Sequence, residues 1–380
     1  MVKFISLISI LAVCLSSCTA LRAIRCGTPT TDSYTKFTLD TIRTIGSTTP
    51  FIDSPQNDPL FRTTKFNGGQ FHNETISEYF KRVRGKGSLL IVRNDSILLE
   101  EYYGNVQKHQ PSNIFSISKA ITALLCGIAI DEGYISSVND PVTNYLPELL
   151  TADPRFSELT IEHLLDMRSG LDFKEEYGWN PFSKMAKLYY GDDVLNFISK
   201  AKFNAAPGTR HHYNSLATAI LGVVIERTTS QSYAHYLQTK VWIPLGMESD
   251  AYVTLDSKTS HHAKAYGGIA TDVRNLALIG RLYMNGGKHD GKQIVNPNWI
   301  KRSINASLDN EAYSYGWNNI ISKNEDGLFV TSRFFALGLF GQILFCDPEQ
   351  NIIFVTLGEK KGCDYHLLFD DFCNILKQSQ

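Results

Sequence analysis

The chain has 380 residues, of which 43% are hydrophobic and 20% charged, and its formal net charge at pH 7 is -1. Such a balance supports a full globular core and supplies no field to gather nucleic acid or acidic partners. No block of five or six like charges occurs, so a polybasic or polyacidic interaction tail is excluded.

The first stretch, MVKFISLISILAVCLSSCTA, reads as an export signal: Lys3 carries the charge, Phe4 to Leu15 is apolar, and small residues follow. It is too short to span a bilayer as a mature helix. Leu15-Ser16-Ser17-Cys18 resembles the cleavage box of bacterial lipoproteins. The resemblance implies removal of residues 1–17, lipid on Cys18, and attachment of an exported protein to the membrane of the cell envelope. Ordinary cleavage after Ala20 is the competing expectation. Of the seven cysteines, Cys14 and Cys18 fall here, leaving Cys26, Cys126, Cys346, Cys363 and Cys373. That odd, scattered remainder is no disulfide framework, and with no C-x-x-C pair it supports no structural zinc site. Buried free thiols are expected.

From Cys26 to about Gly69 the chain is rich in Thr, Ser, Pro, Asn and Asp without periodicity. Residues 18–70 therefore read as a tether and wrapping segment ahead of one domain, 71–380. A short helix is expected around Ile76 to Arg84, and GSLLIVRNDSILLEEYYG then sets two apolar runs about Asn94-Asp95, a hairpin signal. A helix opens near Ser116, and a helical middle follows from about 140 to 250, punctuated by prolines. TDVRNLALIGRLYMNGG spaces Leu276, Ile279 and Leu282 by three before a Gly286-Gly287 stop. FFALGLFGQILFCDP and NIIFVTLGE read as adjacent antiparallel strands joined through residues 347–350, and a last helix is expected from about His366 to Lys377. The pattern predicts an α+β fold: one antiparallel sheet formed from both ends of the chain, flanked by helices, with an inserted all-helical lobe.

S-x-x-K occurs three times, at Ser33–Lys36, Ser116–Lys119 and Ser199–Lys202. Ser33 lies in the polar N-terminal stretch and Ser199 on a charged face, whereas Ser116 opens the apolar run Ile117, Ile121, Leu124, Leu125, Ile128. Side chains at i and i+3 share a helix face, so the Ser116 hydroxyl and the Lys119 amine can meet, while Ser118 points away. A serine hydroxyl becomes a useful nucleophile when a base takes its proton. A lysine can be that base where burial or positive potential lowers its pKa. A helix N-terminus also offers free N–H groups to an oxyanion. A capping serine beside a snorkelling lysine is the bland alternative.

Downstream blocks weigh against the bland reading. FSISKAITALLCGIAIDEGYISSVNDPVTNYLPEL resembles the catalytic-helix segment of serine β-lactamases, penicillin-binding proteins and related esterases. LTIEHLLDMRSGLDF, PGTRHHYNSLATAILGVVIE and YGGIATDVRNLALIGRLYMNGG resemble later blocks of that superfamily, in order, over roughly Gly87 to Gly358. WIPLGMESDAYVTLD is similar to the branch of 6-aminohexanoate-dimer hydrolases and esterases, which act on linear amides and small esters. The resemblance implies Ser116 as acylated nucleophile, Lys119 as its base and Tyr213 as second proton carrier. It further implies the backbone N–H groups of Ser116 and Gln342 as the oxyanion hole, and Ser215, Tyr177 and Gly341 as substrate contacts. No cofactor or metal is implied.

Two departures stand out. Tyr213-Asn214-Ser215 stands where relatives read Tyr-x-Asn, and Leu339-Phe340-Gly341 is matched here to their Lys-Thr-Gly, so the carboxylate-holding cation is gone. Arg333 is the nearest substitute. Tyr177 and Trp179 are expected on a loop over the site, Trp317 in the core, and the pairs His211-His212 and His261-His262 on the surface. Glu162 and Asp166 are expected to face solvent or cap neighbouring elements. The expected activity is hydrolysis of a small neutral ester or short linear amide. A β-lactamase or D,D-carboxypeptidase and a non-catalytic, lipid-anchored binding protein are the alternatives.

Overall fold

The hairpin expected at Asn94-Asp95 forms near one end of an eight-stranded sheet. Both turn residues take the left-handed backbone (φ 50° and 62°) that a tight two-residue reversal requires. In this computed structural model, residues 19–53, 62–177, 180–305, 312–323 and 329–360 are described. The sheet runs, edge to edge, Tyr313–Ser314, Trp317–Lys323, Phe329–Gly338, Gln342–Asp347, Ile352–Gly358, Gly87–Arg93, Ser96–Tyr103 and Ile52–Asp53. All neighbours pair antiparallel except the last, where Ile52-Asp53 runs parallel to Ser96-Ile97. The α+β expectation holds, and the sheet joins both ends of the chain.

Alternation along the strand Gly87–Arg93 sends Leu90 and Val92 to one face and Leu89 and Ile91 to the other, and both faces are buried. Helix Ile76–Arg84 covers one face with Ile76, Tyr79 and Phe80, and starts from a Thr75/Glu78 capping box. Helix Val273–Met284 covers the other, capped by Asp272. Between Val142 and Trp242 every named element is helical, so the inserted lobe takes the expected form.

The segment read as a tether and wrapping segment carries regular structure that its lack of periodicity did not announce. Residues 19–53 carry the helix Thr19–Cys26, a 3-10 turn Ser33–Lys36 and the strand Thr38–Ile42. That strand pairs with Ala251–Leu255 in a second sheet completed by Ile269–Thr271 and Ser112–Asn113. Its side chains are mostly half-buried and only Ile42 is fully inside, so backbone pairing holds it and no apolar alternation announces it. Ser33 is buried and bonded to Thr30, while Lys36 donates to the Cys26 carbonyl, so this S-x-x-K pair does not meet. The signal residues 1–17, Cys18, Trp179, Cys363, Cys373 and the expected helix 366–377 lie outside the described residues. No described helix is long and apolar enough to cross a membrane.

Candidate active site

Ser116 sits in a 3-10 turn, Phe115–Ile117, that runs straight into the helix Ser118–Asp131. Twelve of that helix's residues are buried, so it is a central rod, packed on more than the one face that its apolar spacing marked. Three residues per turn stack i over i+3, which keeps Ser116 above Lys119. The Lys119 amine, on a residue 2% exposed, donates to Ser116 Oγ at 3.0 Å and to the Tyr266 carbonyl at 2.9 Å. Ser118 faces away and accepts from the Ile269 N–H. Just before the serine, Phe115 takes a left-handed backbone (φ 48°), a costly conformation for an aromatic residue, with its N–H held by Asn113 Oδ1.

Tyr213 stands where the helix Ser215–Thr229 begins, half-buried, and its ring centre lies 4.9 Å from the Lys119 Nζ. Asn214 caps that helix by accepting from the Leu216 N–H. Ser215 is buried and lines the cavity beside Ser116, and its N–H donates to the Glu175 carboxylate. The other Glu175 oxygen accepts from the Tyr177 hydroxyl, so one carboxylate ties the 174–177 loop to the helix start. Glu175 had no motif to betray it.

The strand end needs a correction. Gln342 pairs with Gly338 across a tight turn, and its side chain bonds Gly358 on both amide atoms. It is fully buried and lines neither cavity that reaches Ser116. Gly341 has its carbonyl turned back to Arg84. Leu339 lines both cavities with Ser116, and Gly338 lines the second. A Cβ on Gly338 would sit 2.3 Å from the Ile114 carbonyl, so only glycine lets this strand close on the serine turn. The strand-end residues beside the serine are therefore Leu337, Gly338 and Leu339, with Gly338 in the place, three residues earlier, that the sequence match gave to Gly341. Neither register supplies a cation. Arg333 does not substitute, because its guanidinium is bonded to the buried carboxylate of Asp347 at 2.8 Å.

Arg84, almost fully buried, donates to the carbonyls of Phe340, Gly341 and Lys360. It clamps from behind a turn in which Phe340 (φ 63°) and Gly341 (φ 76°) are both left-handed.

Ser116 lies between two openings. One is apolar, with Phe115, Met185, Tyr189, Tyr190 and Phe340 in its wall. The other is a polar groove bordered by Lys174, Glu175, His211, His212, Tyr213 and Asn318. His211 and His212 border the groove; His212 is exposed, as expected, whereas His211 is half-buried, a correction to its surface assignment. His262 is also not a plain surface residue: its Nδ1 lies 2.7 Å from Glu226, whose carboxylate raises its pKa. Trp317 is in the core. Among the described residues no cluster of three or more His, Cys, Asp or Glu could hold a metal.

Against this geometry, comparison with known proteins is specific. The family model "Beta-lactamase" matches residues 73–363, and the chain belongs to that family of serine hydrolases. It is 27% identical over 300 residues to the 6-aminohexanoate-dimer hydrolase of Paenarthrobacter ureafaciens, covering 71% of each chain. It is 24% identical over 323 residues to the teichoic acid D-alanine hydrolase of Staphylococcus aureus, covering 80% of this chain and 78% of the other. A candidate 6-aminohexanoate-dimer hydrolase from Bacillus anthracis shares the fold at a TM-score of 0.76, with 21% identity and 92% of each chain covered.

Glu162 and Asp166 turn inward, contrary to expectation. Glu162 accepts from Arg302 and from the Tyr315 hydroxyl at 2.7 Å, and Asp166 accepts from Ser314. Burial first, then the adjacent Glu162 charge and a shared hydrogen bond, push the Asp166 carboxyl up to about 7, with Arg302 opposing. The folded protein therefore holds a proton that the unfolded chain releases near 3.8, and stability falls as pH rises from about 4 to 7. Asp166→Asn removes this contribution. Urea unfolding should show the variant gaining on the wild type between pH 4 and pH 8, and a pH-independent difference would contradict the assignment.

Proposed function

We propose that this chain is a serine hydrolase that works through an acyl-enzyme on neutral carboxylic esters or short linear amides. The observation that carries this reading is the buried Lys119 amine 3.0 Å from Ser116 Oγ, at a site where the neighbouring strand end offers no cation. Ser116 Oγ attacks the substrate carbonyl carbon as Lys119 takes the hydroxyl proton. Tyr213, beside Lys119, passes a proton to the departing oxygen or nitrogen, so the carbonyl–leaving-group bond breaks and leaves an ester on Ser116. Water activated by the same pair then hydrolyses that ester and frees the serine. The developing oxyanion takes hydrogen bonds from the N–H of Ser116 and, with the register corrected, from that of Leu339. Arg84 positions the second donor by fixing the turn behind it.

A carboxylate-directed reading, as for penicillins or D-Ala-D-Ala ends, lacks its strand cation. A charge-assisted hydrogen bond of that kind contributes about 1.5–3 kcal/mol, roughly ten- to a hundredfold in binding. A non-catalytic scaffold would have no reason to keep a buried lysine against an open serine. Ser116→Ala should abolish nitrophenyl-ester turnover and block labelling by a fluorophosphonate, read by intact mass. Undiminished turnover in that variant would remove the reading.

Export and lipid attachment at Cys18 are proposed on the sequence signal alone, with a small ester or amide as the substrate. Metabolic labelling with a palmitate analogue should mark the wild type in the membrane fraction and fail for Cys18→Ala. A soluble, unlabelled wild type would contradict the anchor.

A further inference from the structure

We propose that the apolar opening beside Ser116 is the acyl pocket, that the N-terminal segment 19–37 builds one of its walls, and that it limits the acyl part of the substrate to about six carbons or a phenyl ring. This rests on the hydrolase reading above and names its substrate class.

The division of labour follows from where the groups lie. Tyr213, the proton carrier for the leaving group, borders the polar groove and not the apolar opening. A carbonyl carbon held at Ser116 with its leaving atom toward Tyr213 must send its acyl chain the other way, into the apolar side. There the wall is Phe115, Met185, Tyr189 and Tyr190 on one side, and Ala23, Thr28 and Pro29 on the other.

That second wall precedes the residues that the family model matches, 73–363. It is firmly held. Ala23 is fully buried, and the Tyr190 hydroxyl donates to the Gly27 carbonyl at 2.6 Å. Arg22 pairs with Asp192 at 3.1 Å, and the Asn113 N–H donates to the Thr31 carbonyl at 2.7 Å. The Phe37 ring packs edge-on against Tyr189 at 5.2 Å between centres, with the buried Lys264 amine 3.6 Å from the Phe37 ring centre.

The size limit is set by volume. The cavity measures about 140 Å³, and an apolar cavity of about 150 Å³ holds one benzene in an unrelated protein. With the nitrophenol leaving group constant, each added methylene that finds apolar wall should raise kcat/KM about fourfold. From acetate to hexanoate the gain should be on the order of a hundredfold, and it should stop or reverse by decanoate.

The test is a nitrophenyl-ester series from acetate to decanoate on the full-length chain, with Ala23→Leu and Met185→Ala. Ala23→Leu narrows the pocket and should cut the hexanoate-to-acetate ratio to below about ten, while Met185→Ala should move the optimum to a longer chain. Thermal melts establish that both variants fold. Labelling of Ser116 by alkyl fluorophosphonates of rising chain length gives the same profile without turnover. A flat chain-length profile in both assays, or one unchanged in both folded variants, would overturn the acyl pocket and leave the hydrolase reading standing. Chain-length-dependent labelling without any ester turnover would overturn the hydrolase reading and leave the pocket.

Discussion

One buried amine organises this molecule. Lys119 is held between the Ser116 hydroxyl and the Tyr266 carbonyl, nearly sealed from water, on a helix buried over most of its length. An amine in that position is tolerable only with its hydrogen bonds made, and the surroundings are shaped to make them. The serine turn accepts a left-handed Phe115 so that Ser116 projects into the cleft. Gly338 lets the strand end reach the carbonyl of Ile114, where any side chain would collide. Nearby, Gly316, itself left-handed at φ 89°, lets the 313–318 turn press on the backbone of Ala120, 2.5 Å from where a Cβ would be. Two glycines of the same sheet thus let it close on the start of the helix.

What the sequence disclosed, and what it withheld, follows the same physics. Short-range features were legible: the i, i+3 pair Ser116–Lys119, the Asn94-Asp95 reversal, and the capped helices at 76–84 and 273–284 each depend on neighbours in the chain. Tyr213 was legible through its block. The strand-end register was not, because Gly338 and Gly341 stand three residues apart and both follow apolar residues. Only the close approach to Ile114 and the Arg84 clamp separate them. The strand Thr38–Ile42 was hidden because backbone pairing, not an apolar face, holds it. Glu175, His262 and the Glu162–Asp166 pair were misjudged or missed because their partners lie far away in sequence.

The site is asymmetric about Ser116. Its polar side gathers Lys174, Glu175, His211 and Tyr213, and its apolar side is closed by aromatic rings and by the N-terminal wrapping segment. Family membership accounts for the central helix and for the eight-stranded sheet apart from its edge strand Ile52–Asp53, which precedes the matched residues. Locking residues 19–37 with several hydrogen bonds and an ion pair costs chain entropy, and a segment serving only as a flexible spacer would have no use for that order.

The most direct test of the central claim follows acyl transfer itself. A short-chain nitrophenyl ester is mixed with wild type and with Lys119→Met, quenched within the first turnover, and the adduct is mapped by peptide mass. One acyl group is expected on the Ser116 peptide of the wild type and none on the variant. An equal burst of acylation without Lys119, or an acyl group on any other residue, would contradict it.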